Sequence, residues 1–329
     1  MKAFLFDRPR ALGEVVRALG EEGDACLLAG GTDLLARMKE RIDAPDRVVG
    51  LLDLGEAMRG IETRAGGLRI GARVTLAEIA ASDAVRETVP HLARAASQAA
   101  SPQIRNRATL GGNLAQHPRC DYHRHRSFPC WRRGATSCPV LEAGAVQEGA
   151  AAFGNDVCAS AHPSSLAPAL GTADAVLHVV GGQGARTVPF AAFWSPPEAG
   201  RATDFLLAPD EVITAVDVAA RRSARGWGTS HQEIRRKAAF DWPMVVCAVA
   251  LQRDAGVVKR ASIWLGAVSP HPLRAAAAEA IVGGKSPSPA LALRAAEAAA
   301  QGATPLPGNA HKVQQVRAAV RRALVEAWS

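Results

Sequence analysis

Apolar residues fall in short blocks along the chain, and their spacing changes from block to block. Residues 2–6 alternate as a short strand. Residues 10–20 place Leu12, Val15, Val16 and Leu19 on one helical face, and Gly20 closes the turn. Residues 25–29 form a continuous apolar run that leads straight into Gly30-Gly31-Thr32-Asp33, and a helix follows over 34–41. With a further strand over 47–52, the pattern predicts a β-α-β-α-β unit closing near Leu54.

The next stretch is more varied. Residues 68–70 and 73–75 read as short strands about Gly71, 76–81 and an Ala-rich 89–100 as helices, and 109–114 as a turn through Gly111-Gly112. Residues 166–171 are helix-like. Strands over 175–180 and 186–189 flank a glycine hairpin turn, and 211–218 is another strand. Residues 221–228 read as a linker. Beyond it, strands at 244–252 and 261–267 flank Asp254-Ala255-Gly256, and helices are predicted at 273–282, 290–301 and 311–328. The reading is an α+β chain in three parts: 1–55, 56–222 with an irregular loop at 117–160, and 228–329.

Composition narrows the picture. A length of 329 residues suits two or three domains. One Tyr and eight Phe leave the core to Ala, Val and Leu. No apolar run reaches the ~20 residues of a membrane span, and the start lacks the apolar segment of a signal peptide. The expected location is cytoplasmic, or periplasmic where a signal-bearing partner subunit exports the chain. The formal charge of +8 raises nucleic acid as a partner. The basic residues are spread, however, except at 119–133 and 317–322. They also lack the aromatic interleaving of a single-strand binder, so no nucleic acid is expected.

Two glycine turns stand out, Ala29-Gly30-Gly31-Thr32-Asp33 and Thr109-Leu110-Gly111-Gly112-Asn113. Glycine permits close backbone approach, and amides at a helix start favour phosphate. Many such pairs are only turns or caps, and neither matches a Rossmann or phosphate-loop spacing.

Four of the six cysteines, Cys120, Cys130, Cys138 and Cys158, lie on the irregular loop. Cys26 and Cys247 sit in apolar strands as small hydrophobes. The loop cysteines are surrounded by Arg, His, Gly and Pro. Zinc sites usually carry a close Cys pair, which is absent here, and disulfides are not expected without a secretion signal. Four thiolates on one loop suggest a [4Fe–4S] cluster; zinc and free thiols stay open on the residues alone. Arg119, Arg124, Arg126, Arg132 and Arg133 would offset a cluster's negative charge. His123 and His125 read as surface histidines. His117 and Tyr122 lie close enough in sequence to touch a cofactor.

The segments Leu28-Ala29-Gly30-Gly31-Thr32-Asp33-Leu34-Leu35, Gln103-Ile104-Arg105-Asn106-Arg107-Ala108-Thr109-Leu110-Gly111-Gly112-Asn113-Leu114 and His162-Pro163-Ser164, in that order, resemble the FAD-binding medium subunit of the molybdenum hydroxylases, the xanthine dehydrogenase family. Phe240-Asp241-Trp242-Pro243, Leu265-Gly266-Ala267-Val268, Asn309 and Lys312 are similar to its C-terminal part. The resemblance implies FAD between two N-terminal subdomains of the vanillyl-alcohol-oxidase (PCMH) type, followed by an α+β C-terminal domain. It implies that Leu28, Ala29, Gly30, Gly31, Thr32, Asp33 and Leu34 lie at the diphosphate. Thr109, Gly111, Gly112, Asn113 and Gln116 would hold the diphosphate and ribityl region. His162 would shape the turn approaching the flavin, and Ser165 would lie close by.

The cysteine insertion resembles the subset with a [4Fe–4S] cluster, seen in periplasmic aldehyde oxidoreductase and 4-hydroxybenzoyl-CoA reductase. That resemblance implies Cys120, Cys130, Cys138 and Cys158 as the ligands. The implied role is a relay of electrons from a small [2Fe–2S] subunit to an outside acceptor. A large molybdopterin-binding subunit carries out the oxidation, so no catalytic acid or base is expected here. Ser165 stands where the family usually has Asp, and Glu233 where it often has Lys. Both bear on the flavin's potential. The rival readings are a freestanding flavin oxidoreductase of the same fold, an NADPH-using enolpyruvoyl-glucosamine reductase, and a zinc-bearing basic protein.

Overall fold

The computed structural model describes residues 1–221, 226–238 and 240–329. Of the expected linker at 221–228, residues 222–225 lie outside the described residues. Among the described residues, twelve strands fall into three sheets. The first is parallel, in the order β1 (Leu5–Asp7), β3 (Arg47–Gly50), β2 (Ala25–Leu28). Helix Leu12–Gly20 packs on it through Val15 and Leu19. This is the expected β-α-β-α-β unit.

The second sheet is antiparallel. Its order is β4 (Ile61–Arg64), β5 (Gly67–Gly71), β8 (Val212–Ala219), β6 (Val176–Gly181), β7 (Gly184–Pro189). Helices Leu76–Ala81, Asp83–Thr88, Pro90–Gln98 and Leu166–Thr172 build the main core with it. The expected strand at 73–75 is a turn, and only Thr75 makes a bridge, to Thr109. There the chain spends its hydrogen bonds on a cap. Thr75 Oγ1 accepts from the Glu78 amide at 3.2 Å, while Glu78 accepts from the Thr75 amide at 2.7 Å.

The third sheet is β12 (Leu273–Arg274), β11 (Val257–Gly266), β10 (Val245–Asp254), β9 (Trp227–Ile234), all antiparallel. Helices Ala276–Val282, Pro289–Ala299 and His311–Trp328 cover it with a core rich in Ala and Val. Alanine lets these helices sit close to the strands, which answers the shortage of aromatics. Strand β9 was not foreseen, because its polar sequence disguises the buried Ser230 and His231. Residues 273–274 pair as a strand end before the helix that was expected to start there. Helix Leu166–Thr172, buried along its length, joins the second and third sheets. Among the described residues, no helix is long and apolar enough to cross a membrane.

Candidate functional site

A cleft of about 1020 Å³ opens between the first sheet, the second glycine turn and residues 240–243. It lies at the upper end of the ~300–1,000 Å³ range of cofactor sites. Ala29, Gly30, Gly31, Thr32, Asp33 and Leu34 line one side, and Thr109, Gly111, Gly112, Asn113 and Gln116 another. Pro163 and Ser165 complete the wall. The two turns, about eighty residues apart in the sequence, therefore face one space.

The glycines in these turns do different things. A Cβ on Gly30 would lie 1.8 Å from the Arg107 carbonyl oxygen, so Gly30 lets the two turns pack backbone to backbone. Gly31 has φ +76°, a left-handed conformation that suits glycine. A Cβ on Gly112 would meet only Thr109 Oγ1, at 3.0 Å, and otherwise open space in the cleft. Gly112 is thus the glycine whose bareness the protein's own packing does not require.

The amides also divide. Among the described residues, the N–H groups from Gly30 through Leu34 have no partner in the chain. At the second turn, Leu110 N–H donates to Val74 O, Gly111 N–H to Ala72 O and Asn113 N–H to Thr109 O, at 2.8–2.9 Å. Gly112 N–H is capped by Thr109 Oγ1 at 3.3 Å. Among the described residues, free amides are thus found in the first turn and not at 110–113. Residues 110–114 form a short helix rather than a bare turn. Gln116 is locked as well, donating to Asn113 O at 2.7 Å and accepting from Arg119 at 3.2 Å.

Asp33 is the electrostatic centre of the first turn. Its carboxylate meets Arg37 at 2.7 Å, Arg124 at 2.6 Å and Arg119 at 2.9 Å, and accepts the His117 amide at 3.1 Å. Burial alone would raise its pKa. The guanidinium groups, Arg119 foremost, hold it down to about 2. Arg119 also lies over the Trp242 ring, 4.8 Å from its centroid.

Next to this knot, the cysteine loop folds without long elements. Arg133 gathers the carbonyls of Tyr122, His123, His125 and Phe128. Lys312, almost fully buried, donates to the carbonyls of Gly149, Ala150 and Ala267 at 2.7–3.1 Å, and Asn309 donates to those of Ala150 and Ala151. These contacts pin the loop to the third sheet. Cys130, Cys138 and Cys158 are buried and Cys120 is half-buried, and none is in a disulfide. The pKa of Cys158 is lowered, first by the neighbouring Cys138 and then by Arg132 and Ser160. Burial pushes the Cys120 thiol up to about 11, and the neighbouring Cys158 and Cys130 add to it. The four sulfurs therefore share one neighbourhood. Among the described residues, no three or more His, Cys, Asp or Glu side chains close on a point as ligands of one ion do. The donors are soft thiols, the type that iron–sulfur clusters and zinc both take.

Two residues expected at the diphosphate and its approach lie outside the cleft lining. Leu28 packs into a small core with Leu34, Met38 and Val48. His162 is buried against Trp194, with its amide on Ser269 O at 2.9 Å. Its neighbour Ser164 donates to Asn113 at 2.5 Å, so His162 sits in the turn that steadies the cleft wall. His123 is buried, not on the surface, with Nδ1 3.7 Å from Cys130 Sγ. Burial, then Arg124, lowers its pKa to about 3. Its polar neighbours in sequence concealed this. Glu233 is buried between His231 and Arg235 and does not line the cleft, whereas Arg235 does. Arg119, Arg235 and Arg201 also line it, and no turn motif marked them.

Residues 2–219 match the family described as FAD binding domain in molybdopterin dehydrogenase, and residues 230–327 match the CO dehydrogenase flavoprotein C-terminal domain. The chain is 34% identical to the aldehyde oxidoreductase FAD-binding subunit PaoB of Escherichia coli K12, over 85% of this chain and 86% of that protein. It is 30% identical to the carbon monoxide dehydrogenase medium chain of Hydrogenophaga pseudoflava, over 99% and 97%. The solved carbon monoxide dehydrogenase of Hydrogenophaga pseudoflava superposes with a TM-score of 0.77 at 31% identity, covering 99% of this chain and 97% of that one. Quinoline 2-oxidoreductase from Pseudomonas putida 86 gives 0.76 at 26% identity, covering 100% and 98%. Fold and cleft define a flavoprotein component of an oxidoreductase. The chain belongs to the family of FAD-binding domains of molybdopterin dehydrogenases.

Proposed function

We propose that this chain is the redox-relay subunit of a heterotrimeric molybdenum hydroxylase of the aldehyde oxidoreductase or xanthine dehydrogenase kind. Its partners are a large molybdopterin-binding subunit and a small [2Fe–2S] subunit. FAD occupies the cleft, and Cys120, Cys130, Cys138 and Cys158 hold a [4Fe–4S] cluster. FAD, when bound, supplies the change between one-electron and two-electron transfer. The observation that carries the reading is the bare Gly112 facing a cleft shared by both glycine turns.

The chain's own residues bind and orient. The free amides from Gly30 through Leu34 offer donors to a diphosphate, and Gly112 leaves room for it. Thr109, Asn113, Gln116 and Ser165 shape the remaining wall. The charges lining the cleft balance, Arg37, Arg119, Arg201 and Arg235 against Asp24, Asp33, Glu211 and Asp241, so the free amides rather than net charge receive the anionic group. Arg132 beside Cys158 favours the thiolate of that one ligand. We also propose that residues 1–55, 56–222 and 228–329 are the domains. The likeness to PaoB, named as a subunit, and to a carbon monoxide dehydrogenase chain named as medium supports a multi-subunit assembly.

The test is an anaerobic titration of the assembled heterotrimer with a reducing substrate, followed at the flavin and iron–sulfur bands. Both sets of bands are expected to bleach. A complex whose flavin stays oxidised while the molybdenum subunit turns over contradicts the relay.

A further inference from the structure

Among the described residues, Arg132 is the largest fully buried side chain. Its Nη1 and Nη2 donate to the two carboxylate oxygens of Asp204 at 2.8 and 2.7 Å. Its Nε donates to Cys158 Sγ at 3.0 Å. The Arg132 side chain is 0% exposed and that of Asp204 3%. Burying such a pair costs desolvation energy that an apolar pair of like size would avoid. The fork is also fixed: both terminal nitrogens are held on Asp204, so Nε cannot swing away from the sulfur. Of the basic residues on the loop, Arg119 and Arg124 serve Asp33 and Arg133 serves main-chain carbonyls. Arg132 alone of these makes a hydrogen bond to a cysteine sulfur.

We infer that Arg132 is a positioning residue that sets the reduction potential of the metal centre through an N–H···S hydrogen bond to Cys158, with Asp204 fixing its direction and offsetting its charge. The inference rests on the proposed [4Fe–4S] cluster. Hydrogen bonds and positive charge at a cluster's sulfurs favour its reduced, more negative state. The transfer concerned is of one electron, arriving from the [2Fe–2S] centre of the small partner. No bond or proton at Arg132 changes in it. Arg132 thereby makes the cluster a better acceptor.

Potentiometric titration of the holo complex, read by electron paramagnetic resonance with iron counted in the same samples, tests this. The double variant Arg132→Met with Asp204→Asn removes the donor without leaving a lone buried carboxylate. Its midpoint is expected to fall by at least tenfold in the reduction equilibrium, about 59 mV for one electron. Asp204→Asn alone keeps one acceptor oxygen to hold the guanidinium against Cys158 and removes a negative charge, so its midpoint is expected to rise. Opposite shifts support the role, because a merely structural pair would not reverse sign. Unmoved midpoints, or shifts of one sign, with iron at the wild-type level overturn it. Should the double variant lose iron, Asp204→Asn decides alone, and no upward shift overturns the role. A wild-type complex without iron overturns the cluster reading itself.

Discussion

Arg124 Nη2 lies 2.6 Å from Asp33 Oδ1, although the two residues are 91 positions apart. Asp33 belongs to the first glycine turn and Arg124 to the cysteine loop. With Arg119 on the same oxygen, one carboxylate ties the cleft wall to the loop that carries the thiols. The proposed flavin site and the proposed cluster site are thus one construction, and the order of one depends on the other.

That tie gives a pH dependence. The Asp33 pKa is depressed to about 2 from the ordinary carboxylate value near 4, so its contribution is complete above pH ~4 and is lost as pH falls toward 2. The contribution is roughly 2 kcal/mol. Asp33→Asn is expected to lower the unfolding free energy at pH 7 by about that amount, read from urea unfolding. It should also flatten the fall in stability between pH 4 and 2, and it should reduce flavin content. Urea unfolding across pH, with flavin released by heat and counted, checks all three.

Gly30 and Gly112 are expected to separate by phenotype. Gly30→Ala puts a Cβ against a carbonyl oxygen and should cost about 3 kcal/mol or more, reducing soluble yield. Gly112→Val should leave a folded chain with an unchanged circular dichroism spectrum and no bound flavin. Normal flavin in Gly112→Val sinks the placement of the cofactor.

The difference between those two glycines was not legible in the sequence, where both read as paired glycine bends. Periodicity showed the first sheet, the hairpin of β6 and β7 and the three C-terminal helices, because their apolar spacing is local. Strand β9 escaped because its burial comes from helix His311–Trp328 and a polar network, not from an apolar pattern. In the site, the glycine turns and the four cysteines were visible as motifs. Arg119, Arg235 and the buried state of His123 depend on contacts between distant segments, which no spacing encodes.

Cys130→Ser and Cys158→Ser each remove one soft donor from the shared neighbourhood. Either change is expected to cut iron to near zero while much of the FAD remains, as read by iron and flavin assay of the same sample. Full iron in either variant would mean that the ligand set is wrong.

Lys312 supplies donors to three buried carbonyls across the loop and the third sheet. Lys312→Met leaves those acceptors unpaired at a cost of about 1–3 kcal/mol. It should lower the melting temperature and raise protease sensitivity first within residues 143–151. Uniform proteolysis across the chain would argue against Lys312 pinning this loop locally.

The most direct measurement is a count of flavin and iron on the purified chain after anaerobic reconstitution, together with its absorbance spectrum. The account predicts one FAD and four irons per chain, with flavin bands over a broad iron–sulfur shoulder. A folded chain that takes up FAD but no iron would contradict the cluster, and one that takes up neither would contradict the account as a whole.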